Sequence, residues 1–229
     1  MERIAKFIAR AGVCSRREAE RLITAGRISI NGEIIDTPAI KVDDSDKVAL
    51  DDNLLAAKQP TRLWIFNKPA GVIVSNGDPE GRETIFDILP TDMPRVISVG
   101  RLDYNSEGLL LLTNDGELAR YLELPKNALK RIYRVRAYGF LDESRLRHIE
   151  KGALIDGVQY APAKIEFEKK QGGNSWFNIT ITEGKNREIR KMIEYAGGEV
   201  NRLIRIAYGE FKLGELKTSE LKEVPPSMK

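Results

Sequence analysis

The ten residues KRIYRVRAYG at 130–139 alternate, with Ile132, Arg134 and Arg136 on one side and Tyr133, Val135 and Ala137 on the other. Strand side chains point to opposite faces at every second residue, so this stretch predicts a strand with one charged face. Its other face is apolar and carries a tyrosine. RLWIFNKP, GVIVSN, RVISVGRLD, GLLLLTND, SWFNITITEG and EVNRLIRIAYGEFKLG also read as strands. Helical segments are fewer. TIFDILP is one, and GELARYLEL is another, with Leu118, Tyr121 and Leu122 inward. DESRLRHIEKG is capped by Asp142, and NREIRKMIEYAGG turns Ile189, Met192, Ile193 and Ala196 inward. Many strands with few crossover helices predict a mostly antiparallel, mixed-sheet α+β domain from about residue 61 to 229.

The residues ahead of it predict a separate small module. ERIAKFIARAG places Ile4, Phe7, Ile8 and Ala11 on one helical stripe, with Arg3, Lys6 and Arg10 on another face, and Gly12 ends it. SRREAERLITAG opens on Ser15 with Glu18 three positions on, the pattern of a capping box. Ala19, Leu22 and Ile23 face inward and Gly26 closes the helix. RISINGEII turns at Asn31-Gly32, a strong hairpin signal, and DKVALDD is a further strand. Residues 1–60 thus read as a helix-helix-β domain, with a linker from about 52 in DNLLAAKQPT.

The rarest residues exclude whole classes of chemistry. Cys14 and His148 are alone of their types in 229 residues, which removes disulfide stapling and argues strongly against a zinc set or a Cys/His or Ser/His catalytic arrangement. No metal-ligand spacing and no glycine-rich phosphate or dinucleotide loop is present. What remains is acid–base or nucleophilic work by a carboxylate. LWIFNKPAGVIVS, the longest apolar run, is broken by Lys68 and Pro69, and MERIAKFIARAG lacks the apolar core of a signal peptide. A cytoplasmic protein without membrane association is expected.

Charge is nearly balanced overall, at +3, but unevenly placed. Residues 1–31 carry seven Lys/Arg against three Asp/Glu, and residues 32–61 three against seven. Further basic clusters lie in PKNALKRIYRVRAYG (125–139) and GKNREIRKM (184–192). Three such clusters in a nearly neutral chain point to nucleic acid.

Spacing alone leaves individual site residues open. Asp103, in GRLDYNSEG, reads either as a turn-former before Asn105-Ser106 or as a loop carboxylate placed for chemistry. Tyr133 reads as a core tyrosine. Arg190, three positions after Arg187, reads as a solvated helix charge.

A resemblance narrows these readings. RIAKFIARAGVCSRREAERLITAGRISINGEII resembles the S4 RNA-binding domain. Behind it, NKPAGVIVS, GRLDYNSEGLLLLTNDGELA, KRIYRV and ITEGKNREIRKMIEYAGGEVNRLIRIAYG follow in the order of the ribosomal RNA pseudouridine synthases of the RsuA/RluB branch. EGKNREIRKM and VNRLIRIAYG look closer to the large-subunit, RluB type. The resemblance implies a catalytic aspartate at Asp103, a tyrosine at Tyr133, a pairing arginine at Arg190, and a role for Arg101 in holding or displacing the flipped base. Lys185, Asn186 and Arg187 are read as further RNA contacts. In the S4 module, Arg3, Lys6, Arg10, Arg16, Arg17, Arg21 and Arg27 become candidates for phosphate contacts, which position rather than specify.

The implied reaction turns a uridine into pseudouridine in place: the N1 link breaks, the uracil turns, and C5 bonds to the sugar. No cofactor or metal is called for. A carboxylate acts either at the sugar or base as nucleophile, or on the sugar 2′ proton. A shielded pocket disfavours a charged carboxylate unless a cation stands by it. Arg190 is therefore expected to meet Asp103 through paired hydrogen bonds. Tyr133 would stack on the freed uracil and help remove the C5 proton. The expected partner is ribosomal RNA, probed as free RNA or as an assembly intermediate, and the protein is expected to act as a monomer. Small-subunit RNA or transfer RNA is the alternative substrate, and a non-catalytic RNA-binding assembly factor is the alternative class.

Overall fold

The computed structural model describes residues 1–56 and 59–226. Its chain forms two compact units. The first takes Met1–Arg62 with Thr91–Ile97 and Thr113–Gly116, and the second takes Leu63–Pro90, Ser98–Leu112 and Glu117–Lys229.

In the first unit, helix α1 (Ile4–Arg10) follows a two-residue strand β1 (Glu2–Arg3) that pairs with β4 (Lys41–Val42). The expected helix thus starts two residues later, because Glu2 and Arg3 are spent on pairing. Helix α2 (Arg16–Thr24) begins at Ser15, whose hydroxyl accepts from the Glu18 N–H at 3.1 Å. Only this half of the capping box appears, since the Glu18 carboxylate pairs with Arg21 instead. The hairpin of β2 (Ile28–Ile30) and β3 (Glu33–Ile35) turns at Asn31 (φ 53°) and Gly32 (φ 89°), the left-handed pair that a tight two-residue hairpin needs. Strand β5 (Val48–Leu50) lies beside β2, and β6 (Asn53–Leu54) pairs with β5. The linker expected from about residue 52 therefore begins as sheet, and its residues 57–58 lie outside the described ones. Ile4, Phe7, Ile8, Ala19, Ile23, Ile28, Val42 and Val48 form one core. Each large member adds roughly 1.5–3 kcal/mol by leaving water.

The second unit is built on a nine-stranded sheet. Its path runs β13 (Lys164–Gln171), β14 (Asn174–Ile181), β10 (Arg131–Tyr138), β15 (Glu199–Tyr208), β9 (Ser106–Thr113), β7 (Leu63–Lys68) and β17 (Leu221–Val224). Short strands β8 (Ile97–Val99) and β16 (Phe211–Lys212) attach to β9 and β15. The pairs β13–β14, β14–β10, β10–β15 and β7–β17 are antiparallel, while β9 and β15 run parallel. β10 keeps the predicted alternation: Tyr133, Val135 and Ala137 are buried, and Arg131 joins them on the covered face.

Helix α3 (Gly116–Glu123) buries Leu118 and Leu122, and α4 (Glu143–Glu150) starts at Asp142, whose carboxylate accepts from the N–H groups of Ser144 and Arg145. The two-stranded β11 (Leu154–Ile155) and β12 (Val158–Gln159) stand apart from the main sheet. Helix α5 (Glu188–Tyr195) turns Ile189, Met192 and Ile193 inward as its spacing predicts, and Ala196 at its end is also buried. Two segments differ from expectation. GVIVSN contributes a single bridge, Ile73 to Thr84, rather than a strand. TIFDILP shortens to a 3₁₀ turn at Ile85–Asp87, locked by Thr84 and Asp87 capping each other.

Gly108 sets the closeness of β9 and β15. Its φ is +98°, and a Cβ there would stand 2.4 Å from the Arg205 carbonyl oxygen, a backbone atom that cannot swing away. Gly108→Ala should therefore destabilise the protein by about 3 kcal/mol or more, read as a lowered denaturation midpoint. A loss below about 1 kcal/mol would mean that the two strands part easily here.

Candidate active site

Lys68, the last residue of β7, is completely buried, an unusual place for an ammonium. Pro69 stops the strand there, and the Nζ turns onto carbonyl oxygens of Pro69 (2.8 Å), Ser106 (2.9 Å), Asp103 (3.3 Å) and Tyr104 (3.4 Å). Burial lowers its pKa to about 8, opposed by the charges of Asp103 and Glu107. Two backbone bonds complete the loop: Ser106 N–H donates to the Asp103 carbonyl (3.0 Å) and Gly71 N–H to that of Tyr104 (2.9 Å). Asp103 does open a turn, as its spacing allows, but through its backbone. Its side chain is free to do something else.

That side chain meets two arginines. Arg190 Nε lies 3.7 Å and Arg187 Nη1 3.8 Å from the same oxygen, Asp103 Oδ2. The expected contact between Asp103 and Arg190 is present, while the expected paired hydrogen bonds are not. Arg190 spends its terminal nitrogens elsewhere, Nη1 on the Val200 carbonyl (3.1 Å) and Nη2 on Asn105 O (3.3 Å) and Ser106 Oγ (3.4 Å). Only its Nε edge faces the carboxylate, and that buried Nε has no hydrogen-bond partner. Burial, then the neighbouring Arg187, lowers the Arg190 pKa from its usual value. Arg187 immediately precedes α5 in the left-handed region (φ 51°, ψ 30°), which few non-glycine residues adopt.

Beside the carboxylate is a cavity of about 130 Å³, lined among others by Asp103, Arg101, Tyr133, Arg131, Glu188 and Arg205. Arg187 and Lys185 also line it. Asn186 does not, and lies instead on a wider neighbouring groove with Tyr104 and Arg82. The structure thus gathers Asp103, Tyr133, Arg190, Arg101, Lys185 and Arg187, and leaves Asn186 on the approach.

Glu188 was not among the expected site residues. It is 3% exposed, accepts from the Lys185 N–H at 2.8 Å through Oε2, and its buried Oε1 has no hydrogen-bond partner. Burial, aided by the Glu183 charge, pushes its pKa up to about 7, against the Lys185 N–H. Glu183 in turn accepts from Ala161 N–H (2.8 Å) and pairs with Lys185 Nζ. Lys68, Arg131 and Arg205 were missed as well. Arg131 was hidden in a basic cluster, but Arg205 left a readable signal, since it shares the inward period of Leu203 and Ala207.

The seven candidate cations of the first unit divide. Arg10 pairs with Glu2 and Asp44, Lys6 with Glu2, Arg21 with Glu18, and Arg27 with Asp51. Arg3, Arg16 and Arg17 are exposed and have no acidic partner among the described residues. Those residues also hold no cluster of metal-ligating side chains and no helix long and apolar enough to cross a membrane.

Comparison with known proteins agrees with this organisation. Residues 62–195 match the RNA pseudouridylate synthase family, and residues 2–48 match the S4 domain. An uncharacterized RNA pseudouridine synthase of Rickettsia felis is 51% identical over 224 residues, which span 98% of this chain and 97% of that protein. The ribosomal large subunit pseudouridine synthase B of Salmonella typhi is 43% identical, over 93% of this chain and 75% of its own. A pseudouridylate synthase crystal structure superposes with a TM-score of 0.70 at 28% identity, over 98% of this chain and 96% of the other. With its S4 domain in front and a synthase domain behind it, the chain belongs to the RNA pseudouridylate synthase family.

Proposed function

We propose that this enzyme isomerises a specific uridine of large-subunit ribosomal RNA, with Asp103 as its catalytic carboxylate. The observation that carries the proposal is the placement of Asp103, which faces two guanidinium groups through one oxygen and borders a cavity that Tyr133 lines. The similarity to a large-subunit synthase over 93% of the chain supports the substrate.

The target base must leave its stack, at a cost of roughly a few kcal/mol, before it can enter the cavity. Arg101, exposed at the cavity, is suited to fill the vacated stack or steady the flipped nucleotide. Asp103 then acts through its carboxylate. It either attacks the sugar or takes its 2′ proton. Tyr133, 8% exposed, gives the freed uracil a flat surface to turn on and a phenol near its C5 proton. Arg190 fixes the carboxylate from the buried side. Arg187, more exposed, is placed to exchange Asp103 for an RNA phosphate.

Asp103→Asn keeps the shape and removes the charge. Its rate of pseudouridine formation should fall by at least about 10⁴-fold while RNA affinity changes little. Full activity would remove Asp103 from the chemistry. In cells lacking the gene, sequencing that maps pseudouridine should find one large-subunit site missing. A missing small-subunit or transfer RNA site would redirect the substrate, and no missing site would favour an RNA-binding factor.

Replacing Arg3, Arg16 and Arg17 together by Ala should weaken RNA binding and flatten its salt dependence, by roughly one unit of the log–log slope per lost phosphate contact. Turnover of bound RNA should persist. An unchanged salt slope would show that these three touch no phosphate.

The raised pKa of Glu188 makes a stability prediction. A carboxyl held up to about 7 in the fold contributes stability below its unfolded value near 4.5, and that contribution is lost as pH rises through 7. Glu188→Gln keeps a neutral acceptor and donor without titrating. Melting temperatures from pH 5 to 8 should therefore shift in favour of the variant by several degrees. A constant difference across that range would mean that Glu188 is ionised throughout.

A further inference from the structure

Two arginines under the cavity are not explained by RNA binding or by fixing Asp103. Arg205 is 2% and Arg131 8% exposed, too deep to meet a phosphate. Neither has a carboxylate partner among the described residues. Arg131 donates from Nη1 to the Thr182 carbonyl (3.3 Å) and from Nη2 to Tyr208 Oη (2.9 Å). Arg205 donates from Nε to the Leu109 carbonyl (2.7 Å), while its buried Nη2 has no hydrogen-bond partner. Both guanidinium groups stand against the Tyr208 ring, 4.8 and 5.0 Å from its centre. Tyr208 is itself held by its hydroxyl donating to Leu122 O at 2.8 Å. Burying a cation among neutral partners is costly, and an orphaned donor on it is costlier. Such groups persist where negative charge is going to appear.

The sheet places them where that happens. Arg205 is directly opposite Tyr133 across β15 and β10, so their side chains share a face, and both line the cavity with Asp103 and Arg131. We propose that Arg205, with Arg131 beside it, is a catalytic residue that stabilises the detached uracil as its anion. This rests on the reading of Asp103 as the catalytic carboxylate. When the C1′–N1 bond breaks, its electron pair passes to the base, and the charge spreads over N1, O2 and O4. A guanidinium N–H of Arg205 turned toward a ring oxygen gains strength only as that charge develops, which lowers the barrier rather than tightening binding. The ring then turns, a C5 electron pair bonds to C1′, the C5 proton leaves, and N1 takes up a proton. Atoms and charge balance as an isomerisation, whichever role Asp103 plays.

The decisive measurement varies the stability of the leaving anion. Arg205→Gln and Arg131→Gln are compared with wild type in single-turnover reactions on RNA carrying uridine or 5-fluorouridine at the target. The quantity followed is loss of the N1 link, because the fluorinated ring has no C5 proton to release. Fluorine disperses the anion's charge and takes over part of the arginine's work. Arg205→Gln should slow uridine on the order of 100-fold and 5-fluorouridine by about tenfold or less, with RNA affinity unchanged. Equal losses on both bases, or none, overturn the proposal, since a purely structural arginine cannot tell the two leaving groups apart. If Arg205→Gln does not fold, as judged by circular dichroism, Arg131→Gln decides by the same criterion. Asp103→Asn run alongside separates the two ideas. Activity there sinks the catalytic reading, whereas inactivity there with equal losses at the arginines sinks the anion site alone.

Discussion

The active-site loop hangs on one buried ammonium. Lys68 gathers carbonyl oxygens of Pro69, Asp103, Tyr104 and Ser106, and so fixes the start of β9 and the backbone of the proposed catalytic Asp103. A charge this deep survives because carbonyl dipoles replace its water, assisted by the nearby charges of Asp103 and Glu107. The consequence is rigidity where loops are usually loose. With its carbonyl held by Lys68 and by the turn to Ser106, Asp103 has only its own side-chain rotamers left to set. Arg187 and Arg190 face one oxygen of that side chain.

Two arginines on one carboxylate divide the labour by depth. The Arg190 side chain is 13% exposed and tied to Val200, Asn105 and Ser106, so it belongs to the scaffold. The Arg187 side chain is 55% exposed and has no such ties among the described residues, and its backbone is held in a left-handed conformation that most residues avoid. Strain of this kind is kept where the surroundings over-determine it. Here the surroundings are the Lys185 N–H closing onto Glu188 and the first turn of α5. The cluster EGKNREIRKM is therefore no uniformly solvated face. It splits into a partly buried cation, an exposed one and a buried acid within four residues.

That split marks the boundary of what a sequence can disclose. Periodicity reported what happens within one element: Tyr133 on the covered face of β10, Ile189, Met192 and Ile193 under α5, the Asn31-Gly32 hairpin. It failed where a longer-range partner decides. Glu2 and Arg3 left the helix for a pairing with β4, Asn53 and Leu54 turned a linker into sheet, and GVIVSN found only one bridge. The Asp103–Arg190 contact joins residues 87 positions apart, which family resemblance could suggest and spacing could not. The expected bidentate geometry failed for a related reason. Nothing local announces that carbonyls of Asn105 and Val200 will claim the guanidinium first.

The arginines of this protein sort by what surrounds them, and the surroundings decide what each can do. On the S4 surface, Arg3, Arg16 and Arg17 stand in water without acidic partners among the described residues, where a cation gains little until it displaces counterions from a phosphate. Under the proposed RNA-binding role such residues would set affinity, and they can be exchanged at modest cost to the fold. Arg131 and Arg205 lie in low dielectric among neutral donors and acceptors, where a cation is expensive to hold and strongly attractive to any anion formed beside it. A free donor there has no use while the pocket holds neutral uracil, and its greatest use at the moment the glycosidic bond breaks. Binding and catalysis therefore draw on different arginines, because only a buried one can favour the transition state over the bound substrate.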